Sequence, residues 1–197
     1  MAGYAGVRDA VDSVVALLRA HVTTSGEAGL NGIPVRPDSP RELEVLNVAS
    51  AVSVWLYRVE IDRDLANQLP SRPAPSLLRR RPLPLRLWLM VVPLNPDTST
   101  RLLLLGRVAQ VLDDHRMLSG VDLSGALAAD GSTLTLTPHT PDTYDLNQIW
   151  SSQQTFARPS VCLGVSGLLL DDHHGDLATS VVLDAAALVD QIVGVAP

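Results

Sequence analysis

Two stretches of this sequence are apolar at odd and even positions alike. Residues 46–61 contain neither Pro nor Gly, and within them Val52, Val54 and Leu56 alternate with Ser53, Trp55 and Tyr57. Residues 85–94 repeat the pattern, interrupted by Arg86 alone and carrying Pro93 near their end. A strand sends successive side chains to opposite faces, so a strand apolar on both must be covered on both. The chain is therefore confined to folds in which a sheet has packed layers on its two sides. Pro93 lacks the N–H that a ladder requires, which predicts that it closes its strand near an edge.

The remaining segments supply the layers. Val7, Val11, Val14, Val15, Leu18 and Val22 fall at helical spacing and predict an amphipathic helix over residues 6–23. Residues 24–44 hold three glycines and three prolines and read as a loop with at most one short strand near residues 33–36. A second helix follows residues 95–98, with Leu102, Leu105, Val108, Ala109, Leu112 and Met117 or Leu118 as its stripe and Thr98 or Ser99 as its cap. Residues 132–138 alternate as a half-exposed strand, 141–151 read as a short helix, and 160–170 as a third long strand. Residues 171–175 predict a turn, with 178–183 pairing back as a hairpin partner and 185–193 forming a terminal helix or arm. The expected class is α/β (α+β), with a mixed, largely antiparallel sheet of four to five strands and two to three packed helices. The expected organisation is one domain over residues 1–183, with a loop excursion at 62–84, and a C-terminal arm at 184–197.

Composition removes several functions. All 15 basic residues are Arg, which excludes a Lys Schiff base and a P-loop lysine. A lone cysteine, Cys162, excludes an internal disulfide and a cysteine-rich zinc site. The net charge of -6 argues against coating nucleic acid. No apolar run approaches the roughly 20 residues of a membrane span, and the first residues carry no signal-peptide pattern, so a cytoplasmic chain is expected. Only 18% of residues are charged, below the usual quarter, which predicts surface buried against other chains.

Candidate chemistry is sparse. Asp171-Asp172-His173-His174-Gly175-Asp176 gathers metal-ligand types within six positions, with His173 and His174 as weak candidate ligands. Neighbours along a strand point to opposite faces, however, and a solvated β-turn is the preferred reading. His115 sits near a helix C-terminus, where a cation suits the dipole. His139 has no base or nucleophile beside it in sequence. Ser166 lacks nucleophile-elbow spacing, and Cys162 reads as core. No cofactor is indicated. Arg79, Arg80 and Arg81, on a Pro-rich segment, form either a solvated loop or a clamp for an acidic protein surface.

Four segments together resemble one family. They are Val54-Trp-Leu-Tyr-Arg-Val59 with Leu65-Ala-Asn67, Arg81-Pro-Leu-Pro-Leu-Arg-Leu-Trp-Leu-Met90, Leu104-Leu-Gly-Arg-Val-Ala-Gln-Val-Leu112, and Ile149-Trp150 with Arg158-Pro-Ser-Val161. In order and spacing they are similar to the N-terminal domain of the tail-terminator (cap) proteins of phage-tail-like contractile injection systems. The chain departs from that pattern where a Tyr is usual, having Trp88 or Leu89-Met90 in one strand and Val161-Cys162 after Ser160. Larger members carry a second C-terminal domain, which a sequence stopping at Pro197 is expected to lack. The resemblance implies a tail-terminator-like fold and a structural, non-enzymatic ring, expected to be a hexamer, that ends an inner tube and anchors the distal sheath. Its implied partners are other copies of itself, the tube protein and the sheath protein, with no nucleic acid and no membrane. Asn67, Arg79, Arg80, Arg81, Trp88, Trp150 and Arg158 are the expected interface residues, and the 66–84 excursion and the C-terminal arm are expected to meet neighbours. A phage-tail terminator or connector, and a small metal-dependent enzyme using residues 171–176, are the alternative readings.

Overall fold

The computed structural model describes residues 3–66, 77–78, 82–171 and 177–178. The chain divides into two units, Met1–Asn67 with Pro82–Asp171, and Gln68–Arg81 with Asp172–Pro197. In the first unit, helix α1 (Gly6–His21) leads to strand β1 (Val35–Arg36), helix α2 (Pro40–Val45), the long strand β2 (Ala51–Ile61) and the one-turn helix α3 (Arg63–Ala66). Strand β3 (Leu77–Leu78) belongs to the second unit. The first then resumes with β4 (Leu83–Leu94), α4 (Thr98–Asp114), β5 (Met117–Ser119), a 3-10 turn at Gly120–Asp122, and α5 (Gly125–Ala129). It ends with β6 (Thr133–His139), α6 (Thr143–Ser152) and β7 (Val161–Leu170). Strand β8 (Leu177–Ala178) lies in the second unit and pairs antiparallel with β3. The hairpin expected for residues 178–183 is thus corrected at Ala178, whose partner is Leu77. Residues 179–183 lie outside the described ones.

Six strands form one mixed sheet in the order β1-β2-β4-β7-β6-β5, one strand more than expected. All its pairings are antiparallel except β1 with β2. The additional strand is β5. Met117 and Leu118 leave the helical stripe to which their spacing assigned them, because α4 ends at Asp114 with His115 as its C-cap. Leu118 then stands opposite Leu134 and is fully buried. The N-terminal cap of α4 is Asp97 rather than Thr98 or Ser99, its carboxylate accepting the Thr100 N–H at 2.7 Å. Helix α2 arises inside the expected loop from a capping box. The Glu42 carboxylate accepts the Ser39 N–H at 2.7 Å, and the Ser39 hydroxyl accepts the Glu42 N–H at 3.3 Å.

Pro93 stands within β4, between β2 and β7, rather than at an edge of the sheet. Register explains how it is tolerated. Val52, opposite Pro93, donates its N–H to Pro34 on the β1 side at 2.8 Å. The backbone of Pro93 therefore faces the β7 side, where pairing has already ended at Val91 with Val161. No ladder bond is forfeited.

Both faces of the sheet are covered, but unequally. On one, Val54, Leu87, Leu89, Val91, Leu134, Leu136, Leu163 and Val165 meet Ala10, Val14 and Leu18 of α1, Leu104 and Val108 of α4, and Leu127 of α5 in one large core. Fully burying a Leu or Val contributes roughly 1.5–3 kcal/mol, which makes this layer the main source of stability. On the other face, Ala51, Met90, Val92, Leu94 and Cys162 pack under Leu43 of α2 and Trp150 of α6. That second core stops near Trp55 and Tyr57.

Candidate functional site

The open part of the second face begins where its core stops. Beyond Tyr57 the side chains on that face change from apolar to polar, and Arg58 stands opposite Trp88, Glu60 opposite Arg86, and Gly164 beside both Trp88 and Thr137. Trp88 is the centre of the arrangement. Its indole N–H donates to Glu60 Oε2 at 2.9 Å, and Glu60 is itself paired closely with Arg58. One side of the ring lies against Gly164, where an added Cβ would come within 3.1 Å of Trp88 Cζ3. His139 of β6 meets the ring with centroids 4.5 Å apart and planes tilted by 54°. A small recess of about 170 Å³ lies there, bounded by Arg86, Trp88, Thr137, Pro138, His139 and Ser166.

Arg86 is held from the opposite side. Asp62, 1% exposed, receives Arg86 Nη2 on Oδ1 and Oδ2 at 3.1 and 3.2 Å, and Asp64 receives it at 2.9 Å. The Asp64 hydrogen bond, with Asp62 adding to it, raises the guanidinium pKa against the opposing effect of burial. Asp62 also accepts the Asp64 N–H at 3.1 Å, so the same carboxylate starts α3 and anchors Arg86.

A second polar cluster lies past α6. Glu44 Oε1 accepts from Arg158 Nη2 at 2.6 Å and from the Thr155 hydroxyl at 2.8 Å, tying the approach to β7 onto α2. Beside it a cleft of about 570 Å³ is lined by Asn47, Val48, Leu94, Arg101 and Arg158.

Among the expected interface residues, then, Trp88 lies on the open sheet face and Arg158 in this cleft, in separate places. Trp150 is 3% exposed and packs inside the second core, its indole N–H without a hydrogen-bond partner. Such a ring has almost no surface left to present to another chain. Asn67, Arg79, Arg80, Arg81, His173 and His174 lie outside the described residues, as do residues 172–176 of the acidic turn. Among the described residues no group of three His, Cys, Asp or Glu side chains could hold a metal ion. Cys162 is buried, and burial pushes its thiol up to about 11, which keeps it protonated and unreactive near neutrality. His115 caps α4, with its Nδ1 3.0 Å from the Val111 carbonyl oxygen.

Sequence reasoning gave Glu60, Arg86, Asp62 and His139 no place in a site because the contacts that join them, Glu60 and His139 to Trp88 and Asp62 to Arg86, span 22 or more residues along the chain. Gly164 carried the one available signal, since a glycine inside a strand often marks a close approach. On this face charged side chains pair around a half-buried aromatic ring, Arg58 with Glu60 and Arg86 with Asp62 and Asp64.

The fold aligns with two cryo-EM structures of injection-system parts. One is the sheath/tube terminator of an extracellular contractile injection system, PVC, in its extended state, with a TM-score of 0.68 and 18% identity, covering 96% of this chain and 65% of that one. The other is the tube-terminating cap of the anti-feeding prophage, with a TM-score of 0.59 and 20% identity, covering 89% of this chain and 58% of that one. The chain thus spans less than two thirds of the length of either structure. No curated protein matches the sequence. Residues 10–184 match the Pvc16 N-terminal domain family. With nearly the whole chain matched, and the strand, helix and Trp-bearing segments in the expected order, the protein belongs to that family.

Proposed function

We propose that this protein is a structural cap of a contractile injection system, assembling as a closed ring that ends the inner tube and holds the distal sheath. The observation that carries this is the fold itself, shared over 96% of the chain with a sheath/tube terminator. A tube grows by heterologous stacking and stops when the last layer presents a tube-like face on one side only. That task requires contact surfaces and no catalysis. The open sheet face around Trp88 and the cleft at Arg158 have the polar, paired-charge character of interface rims. Ring contacts fall to the 66–84 excursion, with Asn67 and Arg79, Arg80 and Arg81, and to the 184–197 arm. A ring of six is the closed form we favour, assembled in the cytoplasm.

Light scattering and electron microscopy of tube subunit polymerising with and without this protein test the reading. The expected result is arrested tube length and a species near six times the 21.0 kDa chain mass at the tube ends. Tubes that keep growing at equal rate, with the protein unbound, overturn it.

A further inference from the structure

The helices on the two faces of the sheet are held to it very unequally. α1 buries eight of its residues, among them Val11, Val14, Val15 and Leu18, and α4 buries four. α6 buries Trp150 alone, with Leu146 and Ile149 half-buried beside it. Among the described residues, the hydrogen bonds of α6 run within residues 142–154, and none ties the helix to the sheet. Its one anchor is itself incomplete, because the Trp150 indole N–H is buried without a partner. A donor stranded in that way lacks the water bond it would regain if the helix lifted.

Irregular chain brackets the helix at residues 140–142 and again from Gln153. Gln154 takes φ +52, a left-handed backbone on a residue with a Cβ. Just beyond it, Thr155 and Arg158 donate to Glu44 of α2 at 2.8 and 2.6 Å, which fixes the chain on the far side of that bend. Met90 and Cys162 are buried in the core that the helix covers. Burial first, then Cys162 and Asp145 of α6, push the Tyr57 phenol up to about 12, which sets thiol, phenol and helix near one another.

We propose that α6 is a lid, hinged at residues 140–142 and 153–154, that lifts from the sheet as a unit while the large core stays folded. Lifting it wets the Trp150 indole and joins Met90 and Cys162 to the open face around Trp88. Glu44 keeps its hold on Thr155 and Arg158, so the chain beyond the lid does not follow it. The motion belongs to the fold and stands whether or not the protein caps a tube.

Cys162, the single cysteine, reports the motion in the intact chain. Its labelling by a small aromatic disulfide is followed against urea, beside amide exchange at residues 146–150. Labelling in water is expected to be at least about tenfold faster than global unfolding allows, with a shallower urea dependence because less surface is exposed. The 146–150 amides are expected to open with the same equilibrium constant as the thiol. Ile149→Ala, which thins the lid's contact, should speed labelling at least about fivefold. Val14→Ala weakens the large core instead, and should lower the urea midpoint while leaving labelling in water within about twofold. Labelling that keeps pace with global unfolding, or that rises in proportion to the Val14→Ala destabilisation, overturns the proposal. The wild-type urea slope decides between these even where Val14→Ala fails to fold. Thiol and amides that open with different constants overturn it too, because the helix then frays in place or the thiol is reached by another route.

Discussion

Gly125→Ala is expected to be among the most costly single-methyl additions to this fold. Gly125 opens α5 at φ +58, and a Cβ there would lie 2.3 Å from Asp9 Oδ2. Asp9, 2% exposed, cannot swing aside freely. Its Oδ2 accepts the Ala126 N–H at 3.0 Å, and its Oδ1 accepts from Arg8 Nη2 and Nε at 2.9 and 3.1 Å. A left-handed backbone at a residue with a Cβ costs about 1–2 kcal/mol. Displacing the carboxylate and stranding the Ala126 N–H costs about 1–3 kcal/mol more. The sum, about 2–5 kcal/mol, lowers Tm by about 4–20 °C at this chain length. In an Asp9→Ala background only the backbone part remains, so the two substitutions should be coupled by about 1–3 kcal/mol. Urea unfolding of wild type, both single variants and the double variant, followed by tryptophan fluorescence, measures that coupling. Acid adds a signature. Burial alone would raise the Asp9 pKa, but the Ala126 N–H and Arg8 outweigh it and hold the carboxyl below its ordinary value. The stabilisation is therefore complete above the unfolded value near about 3.9 and is lost as pH falls through the lowered native value. The gap between wild type and Asp9→Ala should close in that window. Equal cost of Gly125→Ala in both backgrounds would refute the clash, and a gap unchanged by acid would refute the charge.

Two other substitutions probe the open face and its neighbour. Asp62→Asn removes the charge from a carboxylate that is 1% exposed and bound to Arg86. Since Arg86 keeps Asp64 and some water, the loss should be about 1–3 kcal/mol by urea unfolding, and a change under about 0.5 kcal/mol would show that the pair is dispensable. Glu44 and Arg158 are 28% and 29% exposed at their side chains, so their double-mutant coupling should be only about 0.2–1 kcal/mol. Their effect should appear instead as faster proteolysis at residues 153–160 in Glu44→Ala, and unchanged cleavage there would remove the proposed tether.

What the sequence disclosed depended on range. The three long strands and the helices α1, α4 and α6 are set by periodicity within a dozen residues, and each stands within a few residues of its expected span. The strand count, the α2 capping box and the place of Pro93 were decided by partners or by local polar geometry that hydropathy does not register. Met117 illustrates the limit. At helical spacing it continues the stripe of α4, and only the pairing across to β6, Met117 opposite Thr135 and the Leu136 N–H bonded to the Arg116 carbonyl at 2.8 Å, shows the chain already extended there. Trp88 and Trp150 illustrate another. Both are tryptophans within family-like motifs, yet one lies on an open sheet and the other under a helix, because α6 covers only the half of the sheet where Met90 and Cys162 lie.

That half-coverage sets the character of the open face. Along β2 the second face passes from Ala51 and Trp55, packed under helices, to Arg58 and Glu60, open to solvent, while β4 changes in step from Val92 and Met90 to Trp88 and Arg86. The switch occurs in both strands at the same level of the sheet, at the bulge between Leu56 and Arg58. Here Arg58 pairs with Glu60, and Arg86 bridges Asp62 and Asp64, leaving an aromatic ring framed by paired charges. Charges paired before contact contribute little net affinity, but they penalise a misregistered partner, which must break them without replacing them. A surface of that kind selects among similar protein faces.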